Sequence, residues 1–325
     1  MEQQLQELNI DDLGSSQECD AEPPVSAVHD GVAPLRRQLT EDDPSKKHAL
    51  DIKGAGREAS MADYNTFVAC GASAQVSAIR RPIERDTAVR VVSVRHGMGH
   101  HNDAFQTASF MNRDAELNRV GISQASETGR ILRDAGLFDR ELLIVVSPFC
   151  RTLQTLLRVV GTDTWDHPTV LQPLAGETSV ASRLPGPRLA RKVVANVQQG
   201  DHGSTAVELA KKFEQHPQFD FRVLDEYCKQ MGSKWAAGGE HEGKWWHHGH
   251  HGKIEMNGDD ALGRSAELRA WLACEAIQRG IKVVLLVSHG AMLKQTFGTS
   301  TFANGEFRCF DLTDTGDYKP CVRMQ

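Results

Sequence analysis

Three clusters of polar side chains each follow a short apolar run, and their residue types suit the binding of a phosphate group. They are Arg95-His96-Gly97, Ser147-Pro148-Phe149-Cys150-Arg151-Thr152 and Ser288-His289-Gly290. Guanidinium groups bind phosphoryl oxygens through paired hydrogen bonds, and helix N-termini add backbone N–H donors. A histidine between fixed cations keeps an uncharged ring, because like charge disfavours the imidazolium form. Such a ring retains a lone pair that can attack phosphorus.

Each cluster taken alone predicts little. A histidine after a strand is more often a turn or capping residue, and an arginine that opens a helix is usually solvated. Only the combination predicts a phosphate pocket, because it requires two arginines and two histidines from distant parts of the chain to converge on one crevice.

The elements that must position these clusters are strands and helices in alternation. The apolar runs at 89–94, 142–146 and 281–287 predict buried strands, and 169–174 and 306–312 predict two more. Helical spacing is present at 121–134, 151–160, 188–198, 261–279 and 291–297. Alternation of this kind predicts an α/β fold, a three-layer α/β/α sandwich with a mainly parallel sheet. In such sheets the active site lies beyond the carboxyl ends of the strands, where the three clusters are.

The chain divides near residue 87. Residues 1–86 have few aromatic side chains and no sustained period, so they predict an acidic, mostly disordered N-terminal extension. Residues 87–325 predict the folded domain, with a His/Gly/Trp-rich insertion near 235–258. Imidazole clusters bind transition metals, but the flanking glycines favour a mobile insertion over a metal site fixed by packing.

Composition excludes several classes of protein. The first 35 residues hold eight acids and no Lys or Arg, while the whole chain has a formal net charge of −6, so no basic face for nucleic acid is predicted. An acidic start also disfavours a targeting peptide, and no apolar run is long enough to cross a bilayer. The expectation is a cytoplasmic protein with no nucleic-acid or membrane partner. Seven cysteines without a CxxC pair predict reduced thiols.

The three clusters resemble the signature motifs of the histidine phosphatase superfamily, also called the phosphoglycerate mutase-like family, and specifically its phosphatase-type branch. The family's Arg-His-Gly matches Arg95-His96-Gly97, and its Ser-Pro-x-x-Arg-Thr-x-x-Thr run matches 147–155, with Arg151 as the arginine. Its second histidine matches His289 in Val287-Ser288-His289-Gly290. The resemblance covers roughly residues 88–315 and implies a phosphoglycerate mutase-like fold.

The resemblance implies a role for each of these residues. His96 is the phosphoryl acceptor, while Arg95, Arg151 and His289 hold the three equatorial oxygens. A covalent phosphohistidine forms on His96 and water then releases phosphate, with no metal and no cofactor. The chemistry agrees, because phosphoryl transfer demands positioning and charge neutralisation above all.

Two further site residues follow from the resemblance. Glu177 lies four residues after Pro173, as in the family's Pro-x-Leu-x-Glu run, and is implied as the acid that protonates the leaving group. The alternative is a solvated loop glutamate. Relatives often continue with Cys-Asp-x-Gly, whereas this chain does not.

The other is Asn102, implied as a fourth phosphate ligand. It ends Met98-Gly99-His100-His101-Asn102, which resembles the Gln-Gly-x-His-Asn form of plant and fungal phosphatase-like members. Relatives also carry tryptophans in the insertion, which forms a lid over the pocket, so Trp245 and Trp246 are implied as its lining by analogy.

Three functions remain open at this point. The favoured one is hydrolysis of a phosphomonoester, either a small molecule or a phosphorylated protein. The enzyme alternative is phosphoglycerate mutase-type transfer, which needs a basic set for a substrate carboxylate that the sequence does not reveal. The third is a catalytically weak phosphate-binding scaffold, which is disfavoured because the nucleophile and both arginines are present.

Overall fold

Short strands buried on both faces form the centre of the protein. The computed structural model describes residues 60–102, 113–161, 164–177, 202–233, 238–239, 242–246, 249–250, 253–254 and 258–322. The strands are β1 Val89–Arg95, β2 Leu142–Val146, β3 Thr169–Leu171, β4 Gly249–His250, β5 Lys253–Ile254, β6 Val283–Ser288, β7 Phe307–Leu312 and β8 Tyr318–Pro320. The helices are α1 Ala72–Arg80, α2 Arg119–Asp134, α3 Cys150–Val160, α4 Ala206–Lys212, α5 Arg222–Met231, α6 Gly258–Gln278 and α7 Gly290–Thr296.

The strand register places the three predicted polar clusters next to one another at the same end of the sheet. The six-stranded sheet has the order β3-β2-β6-β1-β7-β8, in which the pairs β3/β2, β2/β6 and β6/β1 are parallel and β7 and β8 are antiparallel additions. Arg95 pairs with Ser288, and Val146 pairs with Val287. The residues that follow β1, β2 and β6 therefore lie side by side at the carboxyl edge of the sheet.

Alternate residues of the strands belong to two apolar clusters, one on each face of the sheet. Val92 and Val94 pack with the side chains of α1, α2 and α3, whereas Val91 packs with those of α6 and α7. Both β2 and β6 are buried along their whole length, as near-continuous apolar runs require. The predicted three-layer α/β fold with a mainly parallel sheet is confirmed.

Some predicted elements differ in length or number. β3 ends at Leu171, because Pro173 begins a 3₁₀ turn, Pro173–Ala175, instead of continuing the strand. The strand at 307–312 is not the last, since Tyr318–Pro320 pairs with it in antiparallel fashion. The helix predicted at 188–198 lies outside the described residues.

The folded part begins earlier than residue 87. Residues 60–66 are helical, a π-helical turn spans Phe67–Gly71, and α1 follows. Tyr64 is buried, and the Phe67 ring packs edge-on against Phe307 of β7 at 5.2 Å. This short segment has few apolar residues and depends on tertiary contacts, which a period search does not detect. The expectation of disorder for residues 1–59 lies outside the described residues, and the described ones belong to one unit, Asp42–Gln325.

The structure bears on two predictions made from composition, which concern membrane-spanning segments and the state of the cysteines. Within the described ranges, none of the helices combines the length and the apolar character that a bilayer crossing needs. Cys150, Cys228 and Cys309 are buried free thiols.

A buried ion pair fastens α1 to the sheet. Arg90 of β1 makes two hydrogen bonds with the Asp311 carboxylate of β7, Nε to Oδ1 at 2.8 Å and Nη2 to Oδ2 at 3.0 Å. Its Nη1 donates to the carbonyls of Ala78 and Arg81 at the end of α1. Both side chains of the ion pair are almost fully buried.

We expect Asp311→Asn to lower the free energy of unfolding by about 3–5 kcal/mol, because it leaves a buried guanidinium without its counter-charge. The double variant Arg90→Met/Asp311→Leu removes both charges and should recover part of that loss. Guanidinium chloride denaturation measures both. Unchanged stability of the single variant would contradict this account of the pair.

Candidate active site

Five of the predicted site residues lie close together at the carboxyl edge of the sheet. This group, called the cup below, consists of Arg95, His96, Arg151, Glu177 and His289. The ring of His96, which follows β1, lies 5.1 Å from that of His289, which follows β6. The ligand atoms of His96, His289 and Glu177 all lie within 4.8 Å of one another. Arg151, second residue of α3, donates from Nε to Nδ1 of His289 at 3.3 Å. The sequence separated these residues widely, and the strand register unites them.

His96 is held as a neutral ring with a defined tautomer. Its Nδ1 lies 2.7 Å from the carbonyl oxygen of Gly97, which can only accept, so Nδ1 carries the proton and Nε2 the lone pair. Burial lowers the pKa of His96 well below its usual value, and the positive charges of Arg151 and Arg95 lower it further. The ring is therefore uncharged and nucleophilic at Nε2.

His289 is also a fixed neutral ring. Since Nε of Arg151 can only donate, Nδ1 of His289 accepts, and the ring proton on Nε2 is donated to Ser147 Oγ at 2.9 Å. Burial, then Arg151, lowers the pKa of His289 well below its usual value. Phe149 packs edge-on against His289 at 5.0 Å, and the Arg151 guanidinium lies 4.5 Å from the Phe149 ring centroid.

The turn after β1 requires glycine because two backbone segments touch there. A Cβ atom on Gly97 would lie 2.3 Å from the carbonyl oxygen of Gly121, near the start of α2. Gly97 also donates its backbone N–H to Thr155 of α3 at 3.1 Å. The Gly of the Arg-His-Gly cluster thus serves the close approach of β1, α2 and α3, which holds His96 in place.

Arg95 and Glu177 lie beside each other at the edge of the cup. Burial lowers the pKa of Arg95, and the negative charge of Glu177 opposes that shift. Nη1 of Arg95 donates to the carbonyl of Phe302 at 2.5 Å. Glu177 is half-buried after the 3₁₀ turn that follows β3, and its carbonyl accepts from Nη2 of Arg264 at 3.1 Å. Its role as the acid that protonates the leaving group stays a prediction.

Asn102 closes its own turn. Its Oδ1 accepts from the backbone N–H of Gly99 at 3.1 Å, and its own N–H donates to the Gly99 carbonyl at 2.9 Å. The amide oxygen is thus committed to the backbone, which leaves the side-chain NH₂ as the group that a phosphate would meet. The ligand role of Asn102 stays a prediction.

Asp114 was not identified from the sequence, although it supports Arg151. This buried residue adopts φ 50°, and its Oδ1 accepts from the backbone N–H of Cys150, the first residue of α3, at 2.8 Å. Its Oδ2 accepts from the N–H of Ser204 at 3.1 Å. A carboxylate here caps the helix and interacts favourably with its dipole. Sequence rules look for a cap directly before the helix, so they do not find one 36 residues upstream.

The aromatic insertion reaches the site through Phe149. Trp245 is fully buried, packs edge-on against Phe149 at 5.0 Å and donates from Nε1 to the Ser204 carbonyl at 2.8 Å. Trp246 packs edge-on against Trp245 and lies under the guanidinium of Arg113 at 5.2 Å. Trp245 therefore supports the wall behind His289 and Arg151. A contact between either tryptophan and substrate stays a prediction.

His96, Glu177 and His289 also form a set of two imidazoles and one carboxylate of a kind that binds transition metals. The neighbouring arginines oppose such binding. Arg151 and Arg95 lower the pKa of His96 by repelling its second proton, and the same repulsion acts on a divalent cation. The electrostatics of the cup therefore favour an anion.

A scan against protein-family models finds no match for the chain, and a search of curated proteins by sequence finds none. Solved structures do match. An ecdysone phosphate phosphatase from Bombix mori has 13% sequence identity, covering 73% of this chain and 94% of that chain, at a TM-score of 0.45. A phosphoglycerate mutase from Bacillus anthracis str. Sterne has 17% identity, 72% and 92% coverage and a TM-score of 0.40. A phosphoserine phosphatase from Entamoeba histolytica has 16% identity, 68% and 90% coverage and a TM-score of 0.35. These likenesses concern the fold.

The buried neutral histidines predict a pH dependence of stability. In the unfolded chain a histidine takes up a proton below a pKa of about 6.5, whereas His96 and His289 resist it in the folded state. The unfolded state then binds more protons, so the free energy of unfolding falls as the pH drops below about 6.5, by up to about 1.4 kcal/mol per pH unit for each ring. Urea denaturation at several pH values between about pH 7 and pH 5 gives the free energy of unfolding at each pH. In His96→Gln this free energy should fall less steeply with decreasing pH than in the wild type. An identical slope would contradict a neutral His96.

Proposed function

We propose that the protein hydrolyses phosphomonoesters through a phosphohistidine intermediate on His96. One observation carries this proposal: a neutral imidazole, with its lone pair on Nε2, lies among a buried arginine, a half-buried arginine and a carboxylate. An anion with three oxygens neutralises such a cup, and the lone pair supplies the nucleophile. The partner is a phosphomonoester, either a small molecule or a phosphorylated protein.

In the first step Nε2 of His96 attacks phosphorus and the bond from phosphorus to the ester oxygen breaks. Glu177, in its protonated form, gives its proton to that oxygen, so the alcohol leaves uncharged. The carbonyl of Gly97 stabilises the positive charge that forms on the ring, because it accepts from Nδ1. Arg95 and Arg151 offset the charge that is spread over the phosphoryl oxygens in the transition state.

In the second step water attacks the phosphohistidine. The Glu177 carboxylate takes a proton from the water, a new bond forms between oxygen and phosphorus, and the phosphorus–nitrogen bond breaks. Inorganic phosphate leaves and His96 returns to its neutral form. In the free protein both ring nitrogens of His289 are engaged, Nδ1 by Arg151 and Nε2 by Ser147, so His289 donates to a phosphoryl oxygen by turning its Nε2–H away from the Ser147 hydroxyl.

Trapping of the intermediate tests the nucleophile. A radiolabelled phosphomonoester mixed with excess enzyme and quenched in alkali, which preserves a phosphorus–nitrogen bond, should label the wild-type protein. His96→Asn should lose the label and more than about 10³-fold of the turnover, because the attacking lone pair is gone. The matched control is His100→Asn, an exposed histidine on the turn after β1, which should keep both. Equal labelling of the two variants would overturn the assignment.

Three further assays on the wild-type protein distinguish hydrolysis without a metal from the alternative functions. Turnover unchanged by prolonged chelation supports chemistry without a metal, and a loss of activity restored by a divalent ion would contradict it. With 3-phosphoglycerate and a bisphosphoglycerate primer, isomerisation faster than phosphate release would favour a mutase instead. Saturable phosphate binding with no turnover of several monoesters would favour the scaffold.

Glu177→Gln tests the acid. A carboxyl that protonates the leaving group matters most when that group is a poor one, so the variant should lose about 10²–10⁴-fold in kcat with an alkyl phosphate. With p-nitrophenyl phosphate, whose leaving group needs no proton, formation of the phosphoenzyme should slow by less than about tenfold. The control is Glu141→Gln, an exposed glutamate just before β2, which should match the wild type. An equal loss with both substrates would contradict the role as acid.

A further inference from the structure

A third imidazole lies beside the cup and has no part in the mechanism above. The ring of His101 lies 5.6 Å from that of His96. His101 is half-buried, whereas the preceding residue, His100, is exposed. Burial, then the charges of Arg151 and Arg95, lowers the pKa of His101 well below its usual value. The ring is therefore neutral, and it experiences the field of the same two arginines as the nucleophile.

The turn that carries His101 is rigid. Gly99 and Asn102 exchange two hydrogen bonds across it, and the N–H of His100 donates to the Glu116 carbonyl at 2.9 Å. Gly99 also forms an isolated bridge with Leu117. A Cβ atom on Gly99 would lie 2.6 Å from Nδ1 of His101, so the imidazole fits against this glycine. The His101 ring therefore packs against a turn whose backbone is held by hydrogen bonds.

Nδ1 of His101 is shielded from solvent and has no hydrogen-bond partner among the described residues. A buried polar atom without a partner is destabilising, and a buried N–H without an acceptor is rarer than an unpaired lone pair. The lone pair therefore lies on Nδ1, against Gly99, and the ring proton lies on Nε2. His101 is half-buried, and its Nε2–H is then the donor that the ring can offer to a bound anion.

We propose that His101 is a further ligand of the phosphoryl group, donating from Nε2–H to one of its oxygens. The inference rests on the proposed function. An incoming phosphate dianion offers an acceptor to the Nε2–H donor of His101, and its charge is attracted to Arg95 and Arg151. The rings of His101 and His289 both lie within 6 Å of the His96 ring, at 5.6 Å and 5.1 Å, so both are near the position of the phosphoryl group.

Three substitutions separate the two ring nitrogens. Gln places its amide nitrogen near the position of Nε2, Asn places its own near Nδ1, and Leu places no donor. We expect His101→Leu and His101→Asn to lower kcat/KM for p-nitrophenyl phosphate about 10- to 100-fold and to weaken competitive inhibition by inorganic phosphate, as loss of a hydrogen bond to a charged group predicts. His101→Gln should stay within about fivefold of the wild type. The matched control is His100→Leu, which should stay within about twofold.

Stability distinguishes this role from a merely structural one. Because His101→Leu removes an unpaired buried nitrogen, its melting temperature should equal or exceed that of the wild type while its activity falls. Loss of activity in proportion to loss of stability would overturn the proposal, as would full activity of His101→Asn together with loss in His101→Gln. Wild-type activity in all three variants would overturn it too.

Phosphate binding keeps this inference distinct from the proposed function. In a His96→Ala background no phosphoenzyme forms, yet adding His101→Leu should still weaken the binding of inorganic phosphate measured by calorimetry, about tenfold. If the wild type forms no phosphoenzyme, the proposed function fails while this binding measurement still decides the role of His101. Unchanged phosphate affinity in a wild type that does form the intermediate removes His101 alone.

Discussion

The guanidinium groups of buried Arg151 and half-buried Arg95 lie beside neutral imidazoles and place positive charge at the carboxyl edge of the sheet. Glu177 opposes the pKa shift of Arg95, but burial still lowers that pKa, and Arg151 helps to keep His96 and His289 unprotonated. An anion with several oxygens can bind to such a preorganised group of cations. The neutral state of His96 and the preference for an anion over a cation both follow from this positive charge.

The rest of the structure holds these charges in place. Strand register brings β1, β2 and β6 to one level, and the close contact of Gly97 with Gly121 fixes the turn that carries His96. Asp114 caps α3 from a distant segment, which sets the start of the helix where Arg151 lies. Rigid elements of this kind reduce the reorganisation needed when charge develops during the reaction.

Packed aromatic rings link the tryptophan-containing insertion to the histidine and arginine of the cup. Trp245 packs on Phe149, and Phe149 in turn contacts His289 and the guanidinium of Arg151. The insertion is thus coupled to the orientation of both groups through packed rings. Ser204 adds a second link, because its N–H donates to Asp114 while its carbonyl accepts from Trp245.

The sequence by itself determined the strand runs and the polar clusters that end them, because an apolar run, the turn after it and a short motif are local properties. It therefore predicted the α/β sheet and the members of the cup. Only tertiary structure decided that Asp114 caps α3 and that the segment from residue 60 packs on the sheet, since both depend on partners far away in the chain. The same holds for His101, since the shielding of its Nδ1, which has no partner among the described residues, and its fit against Gly99 depend on the folded turn. Pairing and burial are properties of the packed molecule, and no local pattern encodes them.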